Sequence, residues 1–201
     1  MEKEAIYQKA KACFEGEEVC GQLPPPIDEK AIMYLKQAAD LGHAKAQYNL
    51  GICLHEGIGI SKCYHQAHQY FQLAAKQDHP RANYMLGCYY AFGFLSEPCK
   101  ELAMGYFRLA AEAGIADAQH NLAVILLTEK KAEEAVHYFT LAAKQGHADA
   151  QYNLGVCYCQ GLGCVFSHDE SIRYLELAFK QKHPKAAKAL EYVMMGAYRK
   201  G

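Results

Sequence analysis

The stretch Ala46 to Ala82, AQYNLGICLHEGIGISKCYHQAHQYFQLAAKQDHPRA, decides the fold. Ala150 to Ala186, AQYNLGVCYCQGLGCVFSHDESIRYLELAFKQKHPKA, spells it again almost word for word. Self-similarity at a fixed period is the mark of a stacked-repeat architecture. Aligned on the alanine that opens each segment, the anchors are Ala46, Ala82, Ala118, Ala150 and Ala186, spaced 36, 36, 32 and 36 residues apart.

Counting from the anchor, position +4 is Leu50, Leu86, Leu122 and Leu154, and position +5 is Gly51, Gly87, Ala123 and Gly155. Small residues at +5 let two helices approach closely. Near +11 stand Gly57, Gly93 and Gly161, suited to ending a helix with positive φ. A second helix follows, with Tyr70-Phe71, Tyr106-Phe107, Tyr138-Phe139 and Tyr174-Leu175 as a large pair. Four residues on come Ala74-Ala75, Ala110-Ala111, Ala142-Ala143 and Ala178-Phe179. Large and small pairs one turn apart put a knob and a gap on one helix face. Each repeat therefore reads as helix, glycine loop, helix, turn. One such hairpin cannot bury its own apolar face, so the repeats must stack.

The first 45 residues are a divergent copy. Ala5, Tyr7 and Gly16 precede Ala46, Tyr48 and Gly57 by 41 residues, and the extra length falls in EEVCGQLPPPIDE. Pro24, Pro25 and Pro26 forbid helix there. The repeat at Ala118 lacks the glycine loop, which predicts a tight turn near Thr128 to Lys131. The tail AKALEYVMMGAYRKG predicts a capping helix over 186–199, with Met194, Met195 and Tyr198 covering the last hairpin. The expected organisation is one domain with repeats at about 5–45, 46–81, 82–117, 118–149 and 150–185.

The composition, 51% hydrophobic and 21% charged, is that of a globular protein. A net charge of −1 over 201 residues argues against general nucleic-acid binding, which needs a surplus of Lys and Arg. No run approaches the ~20 apolar residues of a membrane span. The opening MEKEAIYQKAKACFEGEE has no apolar h-region, so no secretory signal is read there. Nine cysteines, an odd number, are read as mostly reduced thiols. A cytoplasmic or other reducing compartment is the expectation.

The pattern AxxxLGxxYxxGxG…A…YFxxAAxxGHxxA resembles the Sel1-like repeat, a relative of the tetratricopeptide repeat, over essentially the whole chain. The resemblance implies an all-α, right-handed α-solenoid with a concave face lined by first helices. It also implies an adaptor role, as in a subunit of an endoplasmic-reticulum degradation ligase, stress-signalling proteins, and bacterial proteins that meet host cells. Cysteine-rich Helicobacter relatives, to some of which penicillin binding or β-lactamase activity is attributed, carry cysteine pairs eight residues apart. The matching positions here are Ala39 and Gln47, Ala75 and Asn83, Ala111 and Gln119, and Ala143 and Gln151, so nothing imports that activity.

Several constellations look chemical when read singly. Cys157, Cys159, Cys164 and His168 suggest zinc ligands. Yet Cys157 and Cys159 lie about 200° apart on a helix, and buried thiols acting as small hydrophobes are the plainer reading. Cys63 and Cys99 share position +17, at the start of the second helix, where Ser167 with Glu170 spells a capping box. A thiol there is either a weak cap or a reactive group. His43, His79, His147 and His183 are one repeated position, −3, in the turn between repeats. His55, His65 and His68 surround Cys63, but only His65 and His68 share a helical face. No catalytic set is readable, and neither enzyme activity, a metal nor a cofactor is expected.

A quieter row stands at +3: Asn49, Asn121 and Asn153, with Met85 at the fourth site. In the related tetratricopeptide fold an Asn so placed often faces the groove and bonds peptide backbone, since it both donates and accepts. The alternative is that it bonds the neighbouring hairpin. With Gln47, Tyr48, Gln119, His120, Gln151 and Tyr152, this row is the candidate surface for a protein or peptide partner. The runner-up is a structural module, a homo-oligomer joined through its terminal helices. A thiol- or metal-dependent sensor is third.

Overall fold

The structure, a computed structural model, describes residues 1–13 and 29–196. Among these residues it contains eleven helices and no strand. They are α1 (Glu2–Cys13), α2 (Glu29–Asp40), α3 (Ala44–Glu56), α4 (Tyr64–Ala75), α5 (Pro80–Phe92), α6 (Lys100–Glu112), α7 (Ala116–Thr128), α8 (Ala132–Lys144), α9 (Ala148–Gln160), α10 (His168–Lys180) and α11 (Ala186–Met194). Gly16, the Pro24 to Pro26 loop and Tyr198 lie outside the described residues. Contacts divide the chain into two compact units, Met1–Tyr106 and Phe107–Gly201.

In the first unit α1 packs on α2, α2 on α3, α3 on α4 and α4 on α5. Its core is made by the repeat landmarks: Leu35, Ala38, Ala46, Leu50, Phe71, Ala74 and Leu86 are all buried. The closest approach is between α3 and α4, where a methyl placed on Gly51 would sit 2.6 Å from the Phe71 ring. In the second unit α7 pairs with α8 and α9 with α10, and α8 packs on α9. Gly155 faces Leu175 as Gly51 faces Phe71, its added methyl 2.7 Å from Leu175 Cγ.

The glycine loops end the first helices as expected. Gly57, Gly93 and Gly161 take φ of 79°, 66° and 65°. The repeat without that loop turns tightly between Thr128 and Ala132, with Lys130 at φ 60° and its N–H donating to the Leu127 carbonyl. Ser167 caps α10 by accepting from the Glu170 N–H at 3.3 Å. The second half of the expected capping box does not form: the Ser167 N–H donates to the Tyr158 carbonyl at 3.1 Å, and the Glu170 carboxylate pairs with Arg173.

The tail departs from expectation. α11 stops at Met194, and Met194 and Met195 are 71% and 73% exposed instead of covering the hairpin. The reason is helical phase. Ala186, Ala189, Leu190 and Val193 recur at the spacing of one helix face and pack on Cys159 and Leu175. Met194 and Met195 follow Val193 about 100° and 200° further round.

Candidate partner-binding face

The first helices carry all the candidate residues, and the structure sorts them by position. At +1, Gln47, Gln119 and Gln151 are only 4%, 3% and 4% exposed. Each donates its amide N–H to a second-helix carbonyl of the preceding repeat: Ala39, Ala111 and Ala143, at 3.0 to 3.2 Å. Each also accepts from a glutamine just beyond its own second helix, Gln77, Gln145 and Gln181, at 2.8 Å. Each of these helix-end carbonyls also accepts from a turn N–H, that of Gly42, Gly114 or Gly146, so the glutamine is its second donor. The +1 glutamines therefore fasten three helices together, a structural role the sequence reading did not give them.

Position +2 belongs to the seam as well. Tyr7 stacks on His43, Tyr48 on His79, His120 on His147, and Tyr152 on His183, with ring centroids 4.2 to 4.7 Å apart. Tyr48 is buried, while His120 and Tyr152 are half-buried. The −3 histidines are N-caps: His43, His79 and His147 accept through Nδ1 from the N–H of Ala46, Ala82 and Ala150. That fixes the proton on Nε2. The Nε2 atoms of His43, His147 and His183 meet Glu4, Asp117 and Asp149, each at position −1 of the preceding repeat.

The +3 row is half-buried and partly engaged. The Asn49 amide donates to the Tyr7 hydroxyl at 3.3 Å. The Asn153 amide lies 3.1 Å from His120 Nε2, and His120 Nδ1 lies 3.2 Å from Asn121 Oδ1. Together these contacts fit a neutral His120 with its proton on Nδ1. Burial, and then the neighbouring His147, hold its pKa below the usual value. Asn49 and Asn153 thus use one polar atom on the preceding first helix, and both remain partly exposed.

What the first helices leave open is a stripe at −1, +3, +6 and +10, the spacing of one helical face. In α3 it is Lys45, Asn49, Ile52 and Glu56. In α7 it is Asp117, Asn121, Val124 and Thr128, and in α9 it is Asp149, Asn153, Val156 and Gln160. In α5 the same stripe carries Arg81, Met85 and Phe92, the last 68% exposed. A groove of about 590 Å³ opens elsewhere in the first unit, along α2 and α4, with Lys36, Asp40, Tyr70 and Leu73 in its wall.

The residues that suggested chemistry are placed apart or packed away. Cys53 and Cys157 are buried, and desolvation pushes their thiols up to about 11 and about 12. Cys159 joins the α11 core instead of facing Cys157's surroundings. Among the described residues no three His, Cys, Asp or Glu side chains are gathered as a metal site requires. Cys63 caps α4 without a side-chain hydrogen bond. Cys99 Sγ lies 3.7 Å from Glu101 Oε2. His65 is exposed, whereas His55 and His68 meet at Tyr89: His55 Nδ1 is 2.9 Å from its hydroxyl, and the His68 ring is 5.7 Å from its ring. Tyr64 and Phe94 complete this cluster. Burial lowers both imidazoles and raises the phenol, which suits packing and not proton transfer at neutral pH. Sequence reading missed it because Tyr89 comes from the next repeat.

Comparison with known proteins agrees with this anatomy. No curated protein matched the sequence. A Sel1 repeat protein from Oxalobacter formigenes is 26% identical, with a TM-score of 0.79 over 95% of this chain and 76% of its own. A protective antigen of uropathogenic Escherichia coli with an SLR fold is 22% identical, with a TM-score of 0.60 over 98% of this chain and half of its own. An immunity protein from Pseudomonas aeruginosa is 23% identical, with a TM-score of 0.55 over 92% and 68%. The last two likenesses show the fold alone. Sel1 repeats form non-enzymatic scaffolds that mediate protein–protein interaction. The family model for the Sel1 repeat matches residues 4–43, 44–79, 80–115, 116–147 and 148–183, and the chain belongs to the Sel1 repeat family.

Proposed function

We propose that this chain is a non-catalytic adaptor that holds a segment of a partner protein on the open stripe of its first helices. The observation behind the proposal is selective exposure. The landmark positions of each first helix are consumed by packing and capping, while −1, +3, +6 and +10 in α3, α7 and α9, and −1, +3 and +10 in α5, stay accessible and mix polar with apolar groups. Asn49 and Met85 serve the first unit, and Asn121 and Asn153 the second. Each half-exposed Asn keeps capacity for partner backbone, and Ile52, Phe92, Val124 and Val156 supply apolar anchors of the kind that dominate binding energy. No helix among the described residues is long and apolar enough to cross a membrane.

The test is affinity capture with the intact chain, identified by mass spectrometry, beside two variants. One carries Asn49→Ala, Asn121→Ala and Asn153→Ala. The other carries Phe92→Ser and Val124→Ser, both at exposed sites. Loss of the captured partner with retained helicity is expected from each. Unchanged capture by both would sink the proposal.

A second reading, self-association through the tail, has its own observation. Tyr192, Met194 and Met195 are all more than half exposed on α11. Light scattering before and after removal of residues 186–201 separates the two readings, since only self-association loses mass beyond the deleted segment.

A further inference from the structure

We propose that the groove between α2 and α4 is a second docking site, and that its occupant is a helical segment of a partner protein that brings a glutamate to Lys36. The groove is separate from the open stripe. Gln47, Leu50 and Leu54 line it from α3, at +1, +4 and +8. These positions lie about half a turn round the helix from −1, +3, +6 and +10. The site is therefore tested independently of the stripe.

The second unit shows how the chain itself fills the matching place. Counting from the large pair of each second helix, which is Tyr34-Leu35 in α2, Lys36 corresponds to Arg108. By the same count Gln66 corresponds to Glu134, and Tyr70 to Tyr138. Arg108 reaches from α6 to α8, where it donates to Glu134 at 2.6 Å and to the Tyr138 hydroxyl at 3.4 Å. In the first unit the cation is kept and the acid is lost. Gln66 stands where Glu134 would, and the Tyr70 hydroxyl donates to Asp40 at 3.3 Å. Among the described residues no carboxylate pairs with Lys36. Lys36 and Gln66, both exposed, line the groove of about 590 Å³ from α2 and from α4.

The lining names the occupant. A lysine beside the Gln66 and Gln69 amides suits a carboxylate, which accepts from all three. Asp40, one turn along α2 from Lys36, sets the polarity, since it repels an acid at its own end and accepts a base. A partner helix with a glutamate and a lysine four residues apart matches both charges. Leucines on that same face would seat on Leu50, Leu54, Ile60 and Leu73, as an amphipathic helix seats in an apolar groove.

The experiment uses the full chain, with the methyl signals of Leu50, Leu54, Ile60 and Leu73 followed by NMR. The probe is a blocked, alanine-rich helical peptide, raised to millimolar concentration. It carries one glutamate, a lysine four residues on, and leucines three and seven residues on. The control has that glutamate replaced by glutamine. The probe is expected to shift these methyl signals saturably, and the control to bind at least tenfold more weakly. Gln66→Glu rebuilds the internal bridge and should weaken the probe at least tenfold. Lys36→Glu should do the same. Methyl signals unmoved by the probe, equal binding of probe and control, or a Gln66→Glu chain that binds like the parent would overturn the proposal. The chain with Asn49→Ala, Asn121→Ala and Asn153→Ala should bind the probe as the parent does, which keeps failure of this groove distinct from failure of the stripe.

Discussion

Gln151 accepts a hydrogen bond from Gln181 at 2.8 Å while its own amide donates to the Ala143 carbonyl at 3.2 Å. The same bracket recurs at Gln47 with Gln77 and at Gln119 with Gln145. The repeat that begins at Ala82 has neither member, with Asn83 at +1 and Ala113 in the partner position. Replacing Gln119 by Leu removes two hydrogen bonds across the seam, although the Ala111 carbonyl keeps the Gly114 N–H and the exposed Gln145 amide can turn to water. A loss of about 1–3 kcal/mol is expected, read as a lower denaturant midpoint. A Gln119→Leu, Gln145→Leu double variant should lose less than the sum of the singles, since the two changes share one bond.

Much of this architecture was legible from residue spacing. Leu50, Gly51, Phe71 and Ala74 recur because each fills one place in a close helix pair, so a single register predicts helices, loops and core together. The +1 glutamines were not legible as seam residues, because a polar side chain on a helix reads as surface until its partners are known. The one usable signal was internal: glutamine at +1 occurs only where glutamine also stands 30 or 26 residues later in the same repeat. The exposed methionines failed differently. Their apolar character was read without their phase on α11, and phase alone separates them from Val193.

Gly51 offers a test of close approach. An alanine methyl there would press within 2.6 Å of the Phe71 ring, and Phe71 is fully buried. Gly51→Ala gains helix propensity of about 1 kcal/mol, yet overpacking of a tight core costs about 1–3 kcal/mol. A net loss is expected in thermal unfolding. The reverse change at the matching place, Ala123→Gly, should also destabilise, because Ala123 is already accommodated and fully buried beside its own second helix. A Gly51→Ala chain as stable as the parent would show that the ring yields.

The cysteines divide by burial. Cys53 and Cys157 combine full burial with thiols pushed up to about 11 and about 12, so almost no thiolate exists at neutral pH. Cys63 and Cys99 are half-buried at the starts of second helices. Brief maleimide labelling with peptide mapping should modify Cys63 and Cys99 at least tenfold faster than Cys53 and Cys157. Equal rates for all four would mean that the hairpins open readily. Strong preference for Cys63 over Cys99 would mark a thiol worth testing for redox chemistry.

His79 makes stability depend on pH, and the sign follows from its surroundings. Burial first, then Arg81 and Lys45, lowers its pKa to about 4 from the 6.5 of a free imidazole. As pH falls below about 6.5 the unfolded chain takes up this proton while the folded chain resists it, so unfolding is favoured. The contribution of neutral His79 is therefore fully present above about pH 6.5 and is lost as pH falls towards 4. His79→Asn keeps a good helix cap and removes the titrating group. Between pH 7.5 and pH 4.5 the parent should lose roughly 1–2 kcal/mol more than this variant, a range that allows for solvent screening of a half-exposed ring. Urea unfolding at both pH values provides the comparison. The other depressed histidines, His55, His68 and His120, act in the same direction in both proteins and cancel in the difference. Identical pH profiles would place the His79 pKa near its free value.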